Sequence, residues 1–537
     1  MKRYFVFLVI SMFFILGCTS IKQPKTVYEK PDYSQKDIVE NEKKRISKIA
    51  VDFPVKAYWL SILLGDQESI MENEENLCSL FASRWKDGKY NEAAKIYFSL
   101  EACASQSISR LGVSKTEITK AYYKDVPGLS VDRSLLPGSW KDCINATVTV
   151  WVDRGIKIHN GAGYADRVIG SGFFIDKRGY IITNHHVIED LVNPKYEGYA
   201  RLFVKLARDS ETRIPAKVVG YDDVLDLALL KVEVDPPFVL ELGSSSNLSV
   251  GDKVLAIGTP LGLDGIITSG IVSSVGRKLF TTGSVLQIDA AVNSGNSGGP
   301  LIDKDMKVQA IVFAGIPQYQ GLNFAVPVEY LKQDLPFLYR GGKRFHSWVS
   351  SFGHTKKEGL AEMGLELQYS MPGGVTNRAG LMVCDRIVSI NGQKVYNLES
   401  LQDIFRNFED ETIVKCEYVR GAIKKNALLY LDRRPESPGY EIYEHDLINN
   451  SFIPIFGMKM ERSSTTSTRK FSIVDIIKGS IADESGFSVT DPVYVSDVIF
   501  NEDKTAISVA ISTRKRKSGY FDVSLRMGAS LDSPYYF

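Results

Sequence analysis

At 537 residues the chain is too long for one hydrophobic core, and the usual ~100 to 200 residues per domain predicts three or four units. A hydrophobic share of 44% and a charged share of 24% are those of a soluble globular protein, and exclude a bulk that is disordered or membrane-embedded. With 65 Lys and Arg against 64 Asp and Glu no global charge attracts nucleic acid, so Arg514-Lys515-Arg516-Lys517 reads as a solvated surface run.

Lys2 and Arg3 precede an apolar run from Tyr4 to Leu16, broken only by Ser11, so residues 1–17 read as a signal peptide. The run is shorter than the ~20 residues a spanning helix needs. Ile15-Leu16-Gly17-Cys18 resembles the bacterial lipobox, which implies cleavage before Cys18, acylation of its thiol and a membrane-anchored lipoprotein of the cell envelope. An ordinary signal peptide with an incidental cysteine is the other reading. Cys78, Cys103, Cys143, Cys384 and Cys416 have wide, irregular spacing and no CxxC pair, so buried free thiols are expected rather than a disulfide framework or a metal site.

Residues 18–45 are polar, carry Pro24 and Pro31, and read as a tether. From 46 to 126 the apolar spacing is helical. Within it the stretch Gly88 to Tyr97 resembles the middle of a tetratricopeptide repeat, although a plain helical hairpin with Ala93 and Tyr97 in its core accounts for it equally. Pro127-Gly128 and Pro137-Gly138 bracket a linker. From 140 to 338, short β-branched segments such as Ala146 to Val152, Tyr180 to Thr183 and Leu227 to Val232 alternate with glycine turns, which predicts an all-β sandwich or barrel pair. Beyond 355 two stretches repeat: Gly364-Leu365-Glu366-Leu367 matches Gly457-Met458-Lys459-Met460, and Ala379-Gly380-Leu381 through Asp385 matches Ser485-Gly486-Phe487 through Asp491. Two related small α+β domains are expected, at 355–434 and 438–537, the second degenerate.

Gly295-Asn296-Ser297-Gly298-Gly299-Pro300 puts a serine in a glycine-dense loop, where backbone N–H groups can converge on one point as an oxyanion hole requires. The natural donor pair there is Gly295 with Ser297 itself. A serine hydroxyl needs a base, and Thr183-Asn184-His185-His186-Val187 supplies two histidines at the end of a predicted strand. The base in turn needs a buried acceptor to hold one tautomer. Asp222, Asp223 and Asp226 are candidates, and only Asp226 abuts the apolar strand that follows. The histidines show no metal-ligand spacing, and neither cofactor nor metal is called for.

TNHHV, DLALLKV and GNSGGP, in that order, resemble the trypsin-like proteases of the HtrA/Deg family, as do GSGFFID (170–176), QIDAAVNSGNSGGPL (287–301) and GLNFAVP (321–327). The resemblance implies a trypsin-like double barrel followed by PDZ-like domains, so the whole reads as a small α-helical domain, the double barrel, and one clear and one degenerate PDZ-like α+β domain. It implies a serine endopeptidase with Ser297 as nucleophile, His186 as base and Asp226 as its orienter, because the family motif places the histidine three residues after the threonine. Val292, Ala314 and Gly315 fall where the family builds its first specificity pocket, implying small or branched aliphatic side chains. The region after 355 then resembles PDZ domains, with Gly364-Leu365 at a carboxylate-capturing loop and Leu401 and Phe405 on the helix beside the peptide groove. Expected partners are unfolded or damaged envelope proteins, peptide carboxyl termini and the membrane through Cys18; a homo-oligomer is left open. The rival reading is a chaperone-like or scaffold lipoprotein that has lost proteolysis. The helical segment has no counterpart in the resemblance.

Overall fold

A computed structural model describes residues 24, 26–159, 161–193, 200–259, 265–278, 283–293, 295–315, 322–463, 467–516 and 520–537. They form two units, Thr119–Phe345 and Met1–Ile118 together with His346–Phe537. Helices α1 (Lys36–Asp52), α2 (Pro54–Leu64), α3 (Gln67–Lys86), α4 (Tyr90–Ala102) and α5 (Lys115–Tyr122) come first. Local chemistry sets their ends. Gly65, at φ 75°, stops α2, and Asp66 caps α3 by accepting from the Ser69 N–H at 2.9 Å. The α3–α4 hairpin buries Phe81 against Tyr97, ring centroids 6.4 Å apart, and Ala93 is fully buried beside them.

Helix α6 (Trp140–Asn145) opens the double barrel. Its first sheet comprises β1 (Thr147–His159), β2 (Ala162–Asp176), β3 (Tyr180–Thr183), β4 (Arg201–Leu206), β5 (Asp209–Asp222) and β6 (Leu227–Val232), with helix α7 (His185–Val192) between β3 and β4. The order β5-β4-β1-β2-β3-β6 closes through a β5–β6 pairing. A second closed barrel, β10-β11-β12-β9-β8-β7, is built from β7 (Lys253–Gly258), β8 (Ile266–Arg277), β9 (Val285–Ile288), β10 (Pro300–Ile302), β11 (Val308–Gly315) and β12 (Asn323–Pro327). Strand β6 shows why these residues make strands: Leu227, Ala228, Leu229 and Leu230 are all fully buried, with alternate residues in two different apolar clusters. Helix α8 (Val328–Arg340) and strand β13 (Gly342–Lys343), which pairs with β5, end this unit.

The other unit continues with β14 (Ser347–Trp348), β15 (Ser351–Glu358), β16 (Ala361–Ser370), α9 (Val375–Arg378), β17 (Arg386–Ile390), β18 (Gln393–Lys394), α10 (Leu398–Arg406), β19 (Thr412–Arg420) and β20 (Ile423–Arg433). The sheet order is β14-β20-β19-β17-β16-β15, which leaves β15 at one edge. The early helices pack on β19 and β20: Trp59 stacks on Tyr430 at 5.9 Å and donates its Nε1–H to the Leu428 carbonyl at 2.8 Å, and Lys95 pairs with the buried Asp410 at 3.2 Å. After α11 (Pro438–His445) and α12 (Ile448–Phe456), a five-stranded sheet runs in sequence order through β21 (Met458–Arg462), β22 (Lys470–Ile476), β23 (Pro492–Phe500), β24 (Ala506–Arg516) and β25 (Tyr520–Ser530), with α13 (Ile481–Glu484) after β22.

The sequence repeat is a repeat of hydrogen bonds. Each copy has a short helix ended by a left-handed glycine, Gly380 at φ 83° and Gly486 at φ 78°. In each, the N–H of the next residue returns to the helix, Leu381 to the Thr376 carbonyl and Phe487 to that of Ala482. The aspartate five residues after the glycine closes the following turn, Asp385 accepting from the Met382 N–H and Asp491 from the Ser488 N–H. One expectation is corrected here: Cys143 and Cys416 are buried free thiols and Cys78 and Cys103 half-buried, but Cys384 is exposed, on a turn at φ 73°.

Candidate active site

Strand β3 ends at Thr183, whose hydroxyl donates to the Ser171 carbonyl at 2.7 Å, and α7 begins two residues later. Asn184 occupies the N-cap of α7 but does not cap it; its Nδ2 donates instead to the Asp226 carbonyl at 2.7 Å. The helix start is served by Asp226, whose Oδ1 accepts from the His186 N–H at 2.8 Å while Oδ2 meets His186 Nδ1 at 2.8 Å. One carboxylate therefore binds the backbone and the ring of the same residue. Asp226 reaches this position from a left-handed backbone, φ 55°, just ahead of β6. Asp222 shapes that turn, its Oδ1 accepting from the N–H groups of Val224 and Leu225, and Asp223 pairs outward with Lys343 at 2.7 Å. The three aspartates thus have three separate tasks.

The two histidines differ in the same way. Burial pushes the His186 imidazole down, but its hydrogen bond to Asp226 and the charges of Asp226 and Glu189 outweigh that and raise its pKa above the usual value. At His185 burial prevails over the surrounding carboxylates, the pKa is lowered, and the ring stacks on Tyr221 at 5.1 Å.

Ser297 enters from the other barrel on the loop between β9 and β10. Gly298, at φ 85°, is where backbone and packing both demand glycine: a Cβ there would lie 2.2 Å from the Ser171 carbonyl oxygen and 2.3 Å from Thr183 Oγ1. Gly170 is squeezed likewise, a Cβ falling 2.7 Å from Val187 and 3.2 Å from the Ser297 carbonyl, so the serine loop and the start of α7 crowd the same point of β2. The N–H groups of Asn296, Gly298 and Gly299 are committed to the carbonyls of Asn293, Val312 and Asn296. Among the described residues the N–H groups of Gly295 and Ser297 make no such bond. The Ser297 hydroxyl donates to the Phe313 carbonyl at 3.2 Å, and among the described residues no hydrogen bond joins it to His186.

Sequence reading missed Ser171, which is fully buried between these parts. Its N–H donates to the Ser297 carbonyl at 2.7 Å, its hydroxyl donates to the Gly295 carbonyl at 2.6 Å, and that hydroxyl accepts from the Thr259 N–H at 2.9 Å. The signal was present as the serine between two glycines in GSGFFID. Asn184, the brace of Asp226, was visible only as the residue between Thr183 and His185.

The remaining candidates are more scattered. Val292 packs against the second barrel's core. Ala314 and Gly315 pair through their backbones with Phe324 and Asn323, and their side-chain level lies outside the described residues, as does Cys18. Leu401 and Phe405 are buried on α10. Gly364 and Leu365 are not a capture loop, and that expectation is corrected: they lie within β16, where the Gly364 N–H donates to the Tyr396 carbonyl and Leu365 pairs with Thr355 on one side and Ile387 on the other. Both flanks of β16 are occupied by strands; the sheet edge is β15. No group of three His, Cys, Asp or Glu residues able to hold a metal occurs among the described residues.

Residues 170–311 match the trypsin-like peptidase domain model, and residues 439–531 match that of the TP0546 family PDZ domain. The chain carries a trypsin-like peptidase domain. A probable periplasmic serine endoprotease DegP-like from Pseudomonas fulva is 35% identical over 285 residues, covering 51% of this chain and 57% of the relative. A DegP-like counterpart from Bartonella henselae is 36% identical over 279 residues, covering 50% and 54%. The chain thus spans little more than half the length of the curated relatives it matches. The solved HtrA-type protease AlgW with decapeptide overlaps 55% of this chain and 99% of its own at 24% identity, with a TM-score of 0.46. Residues 37–122, the helical segment, match a domain family of unknown function.

Proposed function

We propose that this HtrA/Deg-type chain is a serine endopeptidase of the cell envelope. The observation that carries this reading is the clamp of Asp226 on His186, which fixes the tautomer with Nδ1–H toward the carboxylate and leaves Nε2 as the base. Ser297 attacks a peptide carbonyl after its hydroxyl turns from Phe313 to His186, which takes the proton and returns it to the leaving amine. Asp226 stabilises the imidazolium. The N–H groups of Gly295 and Ser297, which bond no backbone carbonyl among the described residues, receive the oxyanion. Val292, Ala314 and Gly315 favour a small or branched aliphatic side chain before the scissile bond.

The proposed substrates are unfolded or damaged envelope proteins, met by an enzyme tethered to a membrane by lipid at Cys18; the periplasmic naming of the DegP-like relatives and the signal-peptide and lipobox features of the sequence support this reading. No helix among the described residues is long and apolar enough to cross a membrane. The test is casein digestion by the chain from residue 19 beside its Ser297→Ala variant. Loss on the order of 10⁶-fold is expected if the triad acts as a unit, and retained cleavage by Ser297→Ala overturns the reading.

A further inference from the structure

The free edge of β15 is already taken, and its occupant is this chain. The Ser351 N–H donates to the Phe537 carbonyl at 2.9 Å, the Phe537 N–H returns to the Ser351 carbonyl at 2.9 Å, and the Gly353 N–H donates to the Tyr535 carbonyl at 3.2 Å. Phe352 and Tyr536 form an antiparallel bridge between these pairs. From α10, on the far side of the segment, Gln402 Nε2 donates to the Pro534 carbonyl at 2.8 Å. The segment is therefore an extended peptide laid antiparallel along a sheet edge and held by a helix, the arrangement by which an added strand gains affinity from backbone bonds and selectivity from alternate side chains. Its side chains are seated accordingly. Tyr536 is 3% exposed and joins Trp348, Phe352, Tyr369, Met371 and Ile442 in one cluster. Phe537 is 2% exposed, and the Tyr535 ring, 36% exposed, stacks on His354 at 4.1 Å.

We propose that the groove between β15 and α10 is a peptide-binding site for extended aromatic and apolar sequences whose resident ligand is residues 533–537, and that a peptide from outside enters only when this segment leaves. Asp532, just before the segment, is pinned by Arg434, and β25 ends at Ser530, so the leash is short and the local concentration of the resident strand is high. If the groove is open less than about one-tenth of the time, the apparent affinity for an outside peptide is reduced at least tenfold.

The test measures binding, by fluorescence anisotropy, of a labelled peptide with the sequence of residues 532–537. The chain from residue 19 is compared with Tyr535→Ala and with a chain lacking residues 533–537, each checked by thermal unfolding. Tyr535→Ala loses one stacked, partly exposed ring and spares the buried Tyr536 and Phe537, so it stays readable if the shortened chain fails to fold. At least tenfold tighter binding by the shortened chain, with Tyr535→Ala in between, is expected. The gain should vanish for a peptide N-methylated at its last residue, which cannot donate to Ser351. Equally weak binding by Tyr535→Ala and the unaltered chain, with the shortened chain equally weak or unfolded, overturns the proposal and leaves the segment a permanent strand of the fold.

Discussion

Ser171→Ala isolates the geometry of the proposed oxyanion loop from the chemistry of the proposed triad. The substitution keeps the backbone bond to Ser297 and removes only the hydroxyl that ties the Gly295 carbonyl to the Thr259 N–H. Ser171 is fully buried, so the partners it leaves behind do not gain free access to water. Each orphaned buried group costs about 1 to 3 kcal/mol, and the loop relieves that cost most cheaply by turning the Gly295 peptide, whose φ of 106° already relies on glycine. Losing a single oxyanion donor outright costs about 10² to 10³ in kcat. A loop that still visits the right geometry loses less, so we expect kcat to fall about 10- to 100-fold. KM should stay nearly constant, because the donors act on the transition state rather than on bound substrate. The assay is steady-state hydrolysis of a small aliphatic ester or amide across pH. Since Ser171 touches neither the His186 ring nor Asp226, the acid limb of the pH profile should not move. An unchanged kcat, or a loss expressed wholly in KM, refutes this role for Ser171.

The remaining outcomes are read from the same assay and from unfolding. His186→Ala should be nearly as damaging as Ser297→Ala, whereas His185→Ala, which removes a stack on Tyr221, should keep most activity; reversal would reassign the base. Because His186 must be neutral to accept a proton and its pKa is raised above 6.5, kcat/KM should fall as pH drops through a midpoint above 6.5. Asp226→Asn removes the charge and presents its amide N–H to Nδ1, which favours the neutral ring in the wrong tautomer, so that midpoint should fall while the rate falls by about 10⁴, the cost of this change in triad proteases. The same raised pKa makes His186's contribution to stability full below about pH 6.5 and lost as pH rises through the native value. Arg420→Ala strands Asp385, whose side chain is 1% exposed, and should destabilise its domain by about 3 kcal/mol in urea unfolding; a change under about 1 kcal/mol would mean the turn re-forms without the pair.

Legibility followed the strength of the local constraint. Strands β3 and β6 were readable because nearly every residue in them is apolar and the runs are as short as strands buried on both faces. Strand β8 was missed because half of Ile266–Arg277 is exposed and only Val272 is fully buried, and β5 because it opens with the alternating charges of Asp209 to Arg213. The outer halves of β1 and β2, from Gly155 and up to Arg167, pair with each other almost wholly in solvent and carry no burial pattern to read. At the candidate site, residues that act through their own side chains stood in recognisable strings. Ser171 and Asn184 act by holding someone else's carbonyl, and a carbonyl has no letter in the sequence.

The groove was misplaced for a related reason. Gly364-Leu365 falls where the PDZ resemblance puts a carboxylate-capturing loop, and Gly364 does have an unusual φ of 122°. That conformation serves a different end: the Gly364 N–H satisfies the Tyr396 carbonyl, and a Cβ at this position would lie 2.6 Å from the Ile387 carbonyl oxygen. Edge and centre of a sheet differ only in whether another strand is present, which is a property of distant residues. Here the distance is large, since the strand that covers β15 arrives from residues 535–537. A peptide site read from sequence alone therefore looks vacant, whereas in the proposed arrangement its occupancy depends on a competition between the resident segment and any outside peptide. In that arrangement the competition, rather than the presence of a groove, decides whether an outside peptide reaches β15.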